Sequence, residues 1–193
     1  MDSVKNNYMN EMRPFFNSIF FEILDYDSDN NLNDIKNLQK ISKGRNISNI
    51  GGWQSDSYVE TSNDFLIPLL NIIKPKVQEI YIKYGIHRPT KIGSYWFNIN
   101  TRNNYNIVHR HPKSVFSSVF YFKTSENCGN IIFERPDFLT ELNEFDEQTE
   151  YNYSDWFIPP RKNLLIVFPA FLRHGVQPNQ NDEERISLAI NFI

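Results

Sequence analysis

Apolar residues in the last hundred positions come in short runs separated by turn formers. Residues 92–99 (IGSYWFNI), 115–122 (VFSSVFYF), 130–133 (NIIF), 164–168 (LLIVF) and 185–193 (RISLAINFI) are rich in β-branched and aromatic side chains. Gly, Pro, Asn and Asp lie between most of them, and this pattern predicts strands of an antiparallel sandwich. The first third differs. Residues 15–24 (FFNSIFFEIL) read as a further strand. Leu32, Ile35 and Leu38 recur at helical spacing behind Asn and Asp capping candidates. A second helix is expected from Ser62 or Asn63, with Phe65, Leu66, Leu69, Leu70, Ile73, Val77 and Ile80 on its apolar face and a kink at Pro75. Residues 48–55 (SNIGGWQS) are turn chemistry around Trp53, and 137–155 form an acidic excursion between strands. No repeat or linker divides the chain. The expectation is an α+β, mainly β fold in a single domain, 1–193. Residues 1–88 form its helical N-terminal part and 89–193 most of a jelly roll, on which the helices pack.

Composition narrows the function classes. With 40% hydrophobic and 22% charged residues over 193 positions, the chain can bury a core. A net charge of −3 provides no basic footprint for duplex nucleic acid. No apolar run approaches the roughly 18 residues of a membrane span, and the first fifteen residues lack the apolar core of a signal peptide. The one cysteine, Cys128, cannot close an internal disulfide. These features lead us to expect a cytoplasmic protein, acting either in its own cell or in an infected host.

Three of the four histidines stand in informative contexts. His109 and His111 flank Arg110, and on an extended segment residues i and i+2 face the same side. His174 follows an apolar run. Two imidazoles from one strand and a third from a distant strand can make a facial metal site. The plain alternative is two loop histidines and an unrelated third. Arg185, Ser187, Ala189 and Asn191 share strand parity, whereas Ile186, Leu188 and Ile190 require an opposite, buried face. An arginine directed into the mouth of a sandwich suits bidentate binding of a carboxylate. A polar edge-strand face would explain the same alternation.

The order H-x-H, His, then Arg-x-Ser about ten residues later is similar to that of the iron(II)- and 2-oxoglutarate-dependent oxygenase superfamily. More narrowly, residues 48–55, 109–122, 168–179 and 185–192 resemble an oxygenase family of marine bacteria and their phages. The resemblance implies a double-stranded β-helix binding Fe(II) and the cosubstrates 2-oxoglutarate and O₂. It also implies a dioxygenase that hydroxylates an unknown primary substrate with release of succinate and CO₂, and admits a phage-encoded enzyme. His109 and His174 match the two histidine ligands. His111 falls where most members carry Asp, so a three-histidine centre is implied, one positive charge richer than usual, the alternative being Glu134 as a substitute carboxylate. Arg185 matches the residue that pairs with the distal carboxylate of 2-oxoglutarate, and Ser187 its hydroxyl companion. Tyr121 is a further donor, or else a core aromatic. Asn98 and Asn191 are assigned to cosubstrate or substrate, the alternative being ordinary structural hydrogen bonding. Ser117-Ser118 departs from the Ser-Gly of the family pattern.

Two other function classes remain open at this point. One is a three-histidine zinc site that activates water for hydrolysis, which leaves Arg185 and Ser187 without a role. The other is a jelly roll that binds without chemistry. Trp53 is expected to anchor its loop, Trp96 to sit in the core, His87 to lie on a surface turn and Cys128 to be inert. The acidic excursion, if it covers the cleft, would favour neutral or cationic substrates.

Overall fold

The computed structural model describes residues 19–136, 145–147, 149 and 152–193. Residues 15–18 of the expected first strand and most of the acidic stretch 137–155 lie outside the described residues. The elements in chain order are β1 (Phe20–Ile23), α1 (Leu32–Ile41), β2 (Asn49–Ile50), β3 (Trp53–Gln54), α2 (Ile67–Lys83), β4 (Ile92–Asn100) and β5 (Tyr105–His109). They continue with β6 (Phe116–Lys123), β7 (Ile131–Glu134), β8 (Asp155–Ile158), β9 (Leu164–Pro169), β10 (His174–Val176) and β11 (Arg185–Phe192). A six-stranded sheet runs β1-β9-β6-β11-β4-β3 and a five-stranded sheet β2-β5-β10-β7-β8. Every pairing is antiparallel. This is the expected jelly roll, a double-stranded β-helix with N-terminal helices packed on it. The N-terminal part also contributes β1, β2 and β3, each at a sheet edge.

Strand alternation divides the six-stranded sheet into two faces. Ile186, Leu188, Ile190 and Phe192 of β11 join Phe97, Ile99, Phe120 and Phe122 from the flanking strands. Against this face pack Ile35 of α1 and Leu69, Leu70, Ile73, Val77 and Tyr81 of α2, all fully or almost fully buried. Each such aliphatic side chain contributes about 1.5–3 kcal/mol of burial. The opposite face meets the second sheet through Ile166, Phe168, Ile131, Phe133 and Tyr121.

Local details depart from the expectation in three places. Asn31 precedes α1 but forms no side-chain cap. Its amide donates to the Phe65 carbonyl and its Oδ1 accepts from Tyr26, so the side chain ties the helix to the next segment instead. The second helix is preceded by a 3₁₀ turn at Asp64–Leu66, with Pro68 in its first turn, where proline's missing N–H costs no hydrogen bond. It then runs as one element through Pro75 to Lys83. Among the described residues no helix is long and apolar enough to cross a membrane.

In the helix-packed core, one side chain carries an unmatched hydroxyl among the described residues. The Tyr81 hydroxyl is buried without a hydrogen-bond partner, and burial raises its pKa. An unsatisfied buried hydroxyl costs about 1–3 kcal/mol of desolvation, whereas an apolar replacement of the same shape costs little. Tyr81→Phe is therefore expected to stabilise the chain by about 1 kcal/mol, raising Tm by about 2–4 °C. Thermal melting checks this, and a fall in Tm would show that the hydroxyl is bonded in solution.

Candidate metal centre

The five-stranded sheet brings the histidines together. β5 and β10 are neighbours, and His174 stands directly opposite His109 in their register. Their ring centroids are 4.5 Å apart. His111 lies just past the end of β5, with its backbone N–H donating to the Ala170 carbonyl at 2.9 Å. Its ring centroid is 5.0 Å from each of the other two. One nitrogen from each imidazole falls within 4.8 Å of the others. Arg110, between the two histidines, is exposed. The i, i+2 parity therefore holds, although the strand itself ends at His109. The turn through Pro112 and Lys113, the latter at φ +70°, carries the chain away.

Two of the rings have their tautomer set by their own strands. His109 Nδ1 donates to the Ile107 carbonyl at 2.8 Å, and His174 Nδ1 donates to the Leu172 carbonyl at 2.9 Å. A carbonyl only accepts, so Nδ1 carries the proton in both and the Nε2 lone pair remains to bind a metal. Burial lowers the pKa of all three. His111 is pushed down to about 4, and His174 well below its ordinary value, with the neighbouring imidazoles adding to the effect. Neutral imidazoles are the form that ligates. Among the described residues no carboxylate joins the cluster. Glu134 turns to the other side of β7, where it accepts from Arg173 Nε at 2.5 Å.

A cavity between the sheets is lined by the three histidines and by Asn98, Ser118, Tyr121, Arg185 and Ser187. Register explains the grouping, since Ser187 of β11 pairs with Asn98 of β4 on one side and Tyr121 of β6 on the other. Arg185 is 1% exposed, and among the described residues every side-chain hydrogen bond it makes runs from Nη1, to the carbonyls of Cys128 at 2.5 Å and Gly129 at 3.2 Å. Among the described residues it has no carboxylate partner. Burial lowers the Arg185 pKa and raises that of Tyr121. The Tyr121 and Ser118 hydroxyls are buried without partners. Asn98 accepts from Asn49 through Oδ1, and among the described residues none accepts from its Nδ2. The same cavity thus collects a buried cation, unspent donors and three imidazole lone pairs, a set that fits a divalent metal together with an anionic ligand.

The loop that holds Arg185 admits little variation. Gly129 adopts φ +90°, and a Cβ there would fall 2.1 Å from the Gln177 carbonyl oxygen and 2.8 Å from Arg185 Nη1. Asn191 shares the Arg185 face but does not line the cavity, accepting from Ser117 at 2.8 Å and donating to Ser94. Trp96, expected in the core, packs against His111 at 5.5 Å and lines the cavity. Trp53 anchors its loop through Nε1–H to the Ser42 carbonyl, and His87 is exposed. Ser48 and Asn106 also line the cavity without having been given a site role from the sequence, as does Ser118, noted there only as a departure from the family's Ser-Gly. Small polar residues on a strand carry no signal of which face is enclosed.

Residues 94–191, just over half of the chain, match the family model described as "Putative 2OG-Fe(II) oxygenase". No curated protein matches the chain by sequence. Among solved structures, a Pseudomonas putida prolyl-4-hydroxylase is similar at TM-score 0.66 and 13% identity, over 91% of both chains. A Burkholderia pseudomallei oxidoreductase of the 2OG-Fe(II) oxygenase family gives TM-score 0.62 and 13% identity, over 91% of this chain and 84% of that one. The viral collagen prolyl hydroxylase of Paramecium Bursaria Chlorella virus-1, solved as a 2OG complex, gives 0.57 and 15%, over 91% and 95%. At such identities the likeness establishes the shared fold.

The lowered histidine pKa values have a consequence for stability. Below the ordinary value of 6.5 the unfolded chain takes up protons at these positions before the folded chain does. Stability of the metal-free protein therefore falls as pH drops from 6.5, and for His111 the loss levels off near pH 4. His111→Gln, which cannot be protonated, is expected to flatten part of that fall. Melting curves of both proteins at pH steps between 7 and 4 test this. Parallel pH profiles would contradict it.

Proposed function

We propose, for a chain that belongs to the 2OG-Fe(II) oxygenase family, that His109, His111 and His174 hold the iron while Arg185, Tyr121 and Ser187 bind the distal carboxylate of 2-oxoglutarate. Membership makes the protein a 2-oxoglutarate-dependent iron oxygenase. It sets aside the hydrolytic zinc site and the silent jelly roll as readings of the three histidines. The finer outcome we infer is hydroxylation of a C–H bond in the primary substrate, with succinate and CO₂ released.

The observation that carries the residue assignment is Arg185. A guanidinium removed from water without a counter-charge costs several kcal/mol, and in this cavity the described protein supplies only two carbonyl oxygens to it. A carboxylate entering between the sheets would supply the missing acceptor. The phenol of Tyr121 and the hydroxyl of Ser187 stand beside it in register and would donate to the same group. Asn98 Nδ2 is a further donor on the same row. The family supplies the oxidising chemistry through its bound iron, 2-oxoglutarate and O₂, which no side chain here provides. The protein's own part is to present three neutral imidazole lone pairs, orient the cosubstrate and keep the cavity walled from water by Phe168, Ile131 and Val176. No Asp, Glu or Lys lines the cavity among the described residues, so no side chain is assigned as a general acid or base. A cytoplasmic setting is part of this reading, since the lone Cys128 is buried and unpaired.

Anaerobic titrations of Fe(II) and 2-oxoglutarate test the assignment. Arg185→Ala is expected to leave metal affinity close to that of the parent and to weaken 2-oxoglutarate by about 2–5 kcal/mol, tens- to thousands-fold. Arg185→Lys should recover only part of this, because a point charge lacks the planar fork. His174→Ala should abolish metal binding and, with it, metal-dependent cosubstrate binding. Parent-like affinity for 2-oxoglutarate in Arg185→Ala would overturn the assignment of Arg185. Absence of succinate when the loaded enzyme is exposed to air with candidate substrates would count against the inferred outcome.

A further inference from the structure

A second cleft adjoins the cavity, and Ser48, Trp96, His109 and His111 line both. Its remaining wall is basic. It carries two guanidiniums, Arg45 and Arg110, and no carboxylate among the described residues. Among the described residues, seven other basic side chains on the surface are in ion pairs, Lys36–Glu184, Lys74–Glu60, Lys76–Glu22, Arg102–Asp182, Lys123–Glu183, Lys162–Asp29 and Arg173–Glu134. Arg45 and Arg110 are exposed and make no side-chain hydrogen bond or ion pair among the described residues. Asp56, close in sequence to the cleft residues Gln54 and Ser57, accepts instead from Ser42. The chain as a whole is negative, so this local excess of positive charge runs against the average.

Both arginines are held where they stand by backbone features. Arg110 is fixed between His109 and His111, so strand parity turns it out of the inner cavity while keeping it next to the imidazoles. The Arg45 N–H donates to the Gln54 carbonyl at 2.7 Å. The preceding Gly44 takes φ +72° against Trp53, in a space that a Cβ would overfill. Between the two cations lies apolar surface. Ile107 is 43% exposed and Ile47 54% exposed, beside the indole of Trp96.

We propose that this cleft receives the primary substrate, and that the substrate joins an anionic group, carboxylate or phosphate, to an apolar or aromatic body. Arg45 and Arg110 hold the anion, and Trp96 and Ile107 contact the body, which leaves one end of the molecule against the His109–His111 side of the cluster. The inference rests on the reading of that cluster as the metal centre. It reverses the charge preference that the acidic stretch 137–155 suggested from sequence. Two exposed arginines acting together on one anion favour it over a neutral isostere by about tenfold.

The test uses the full metal-free chain at pH 7.5, where the imidazoles are neutral, and four probes: 3-phenylpropionate, phenyl phosphate, 3-phenylpropanamide and 2-phenylethylamine. Binding is read from the indole N–H resonance of Trp96, assigned with Trp96→Phe. Both anions, or one of them, should bind about tenfold more tightly than the amide and the amine. The tighter of the two then identifies the group. The double variant R45A/R110A should bring the anions to the level of the amide, while Arg185→Ala should retain the preference. Equal binding of all four probes would overturn the proposal. So would a preference that survives in R45A/R110A but is lost in Arg185→Ala, since the probes would then be occupying the inner cavity. Failure of the metal centre reading would show separately in the iron and 2-oxoglutarate titrations, because the probes are read without either.

Discussion

The two-faced alternation of β11 is the constraint on which the molecule turns. The strand lies between β4 and β6 and is hydrogen-bonded to both, so its backbone has no freedom to rotate. Its even-numbered residues fill the helix-packed core, and Arg185, Ser187 and Ala189 on the other face line the cavity. A shift of one residue would drive the Arg185 guanidinium among the core phenylalanines and put Ile186 into the cavity, exchanging every favourable burial for an unfavourable one. The apolar contacts of Ile186, Leu188, Ile190 and Phe192 therefore do more than stabilise the sheet. They set the direction in which the arginine and the serine point, and so place both on the wall of the cavity.

Much of this was legible because that alternation is written in the residues themselves. β4, β6, β7, β9 and β11 all fall within a residue or so of the predicted runs, as does α1. The missed elements are those whose stability comes from neighbours. β10 is only His174–Val176, with a glycine at its centre, and it becomes a strand because β5 and β7 flank it. β5 shows Ile107 and Val108 to solvent, so the period-two signal is absent there. β2 and β3 are two residues each, too short for any pattern. Among the site residues, the histidines and Arg185 are conspicuous by type and spacing. Trp96 is not, since an aromatic on a buried strand reads as core until the enclosed space beside it is known.

The abundance of asparagine, which in the sequence looks like compositional drift, has structural uses. Asn103, Asn127 and Asn163 occupy left-handed backbone positions, which asparagine tolerates better than most residues. Others are buried in pairs. Asn49 donates to Asn98 and Asn100 and accepts from Asn100 at 2.9 Å, stitching β2 to β4. Asn179 donates to the backbone carbonyls of Asn100 and Glu183, pinning the approach to β11. Ser117 and Ser118 divide similarly, the first bonded to Asn191 and the second open to the cavity. A serine where the related pattern has glycine thus narrows the cavity without breaking the sheet.

The three imidazoles are not held with equal stiffness. His109 and His174 face each other across paired strands, and each ring is tethered to a carbonyl two residues back along its own chain. Among the described residues the ring of His111 has no such tether. Its backbone is fastened to Ala170, and its ring packs against Trp96 and the other two imidazoles just before a turn. Ions of different radius would therefore be accommodated by rotation of one imidazole about its own bonds, with no spreading of the sheet. The elasticity of the cluster is concentrated in a single side chain.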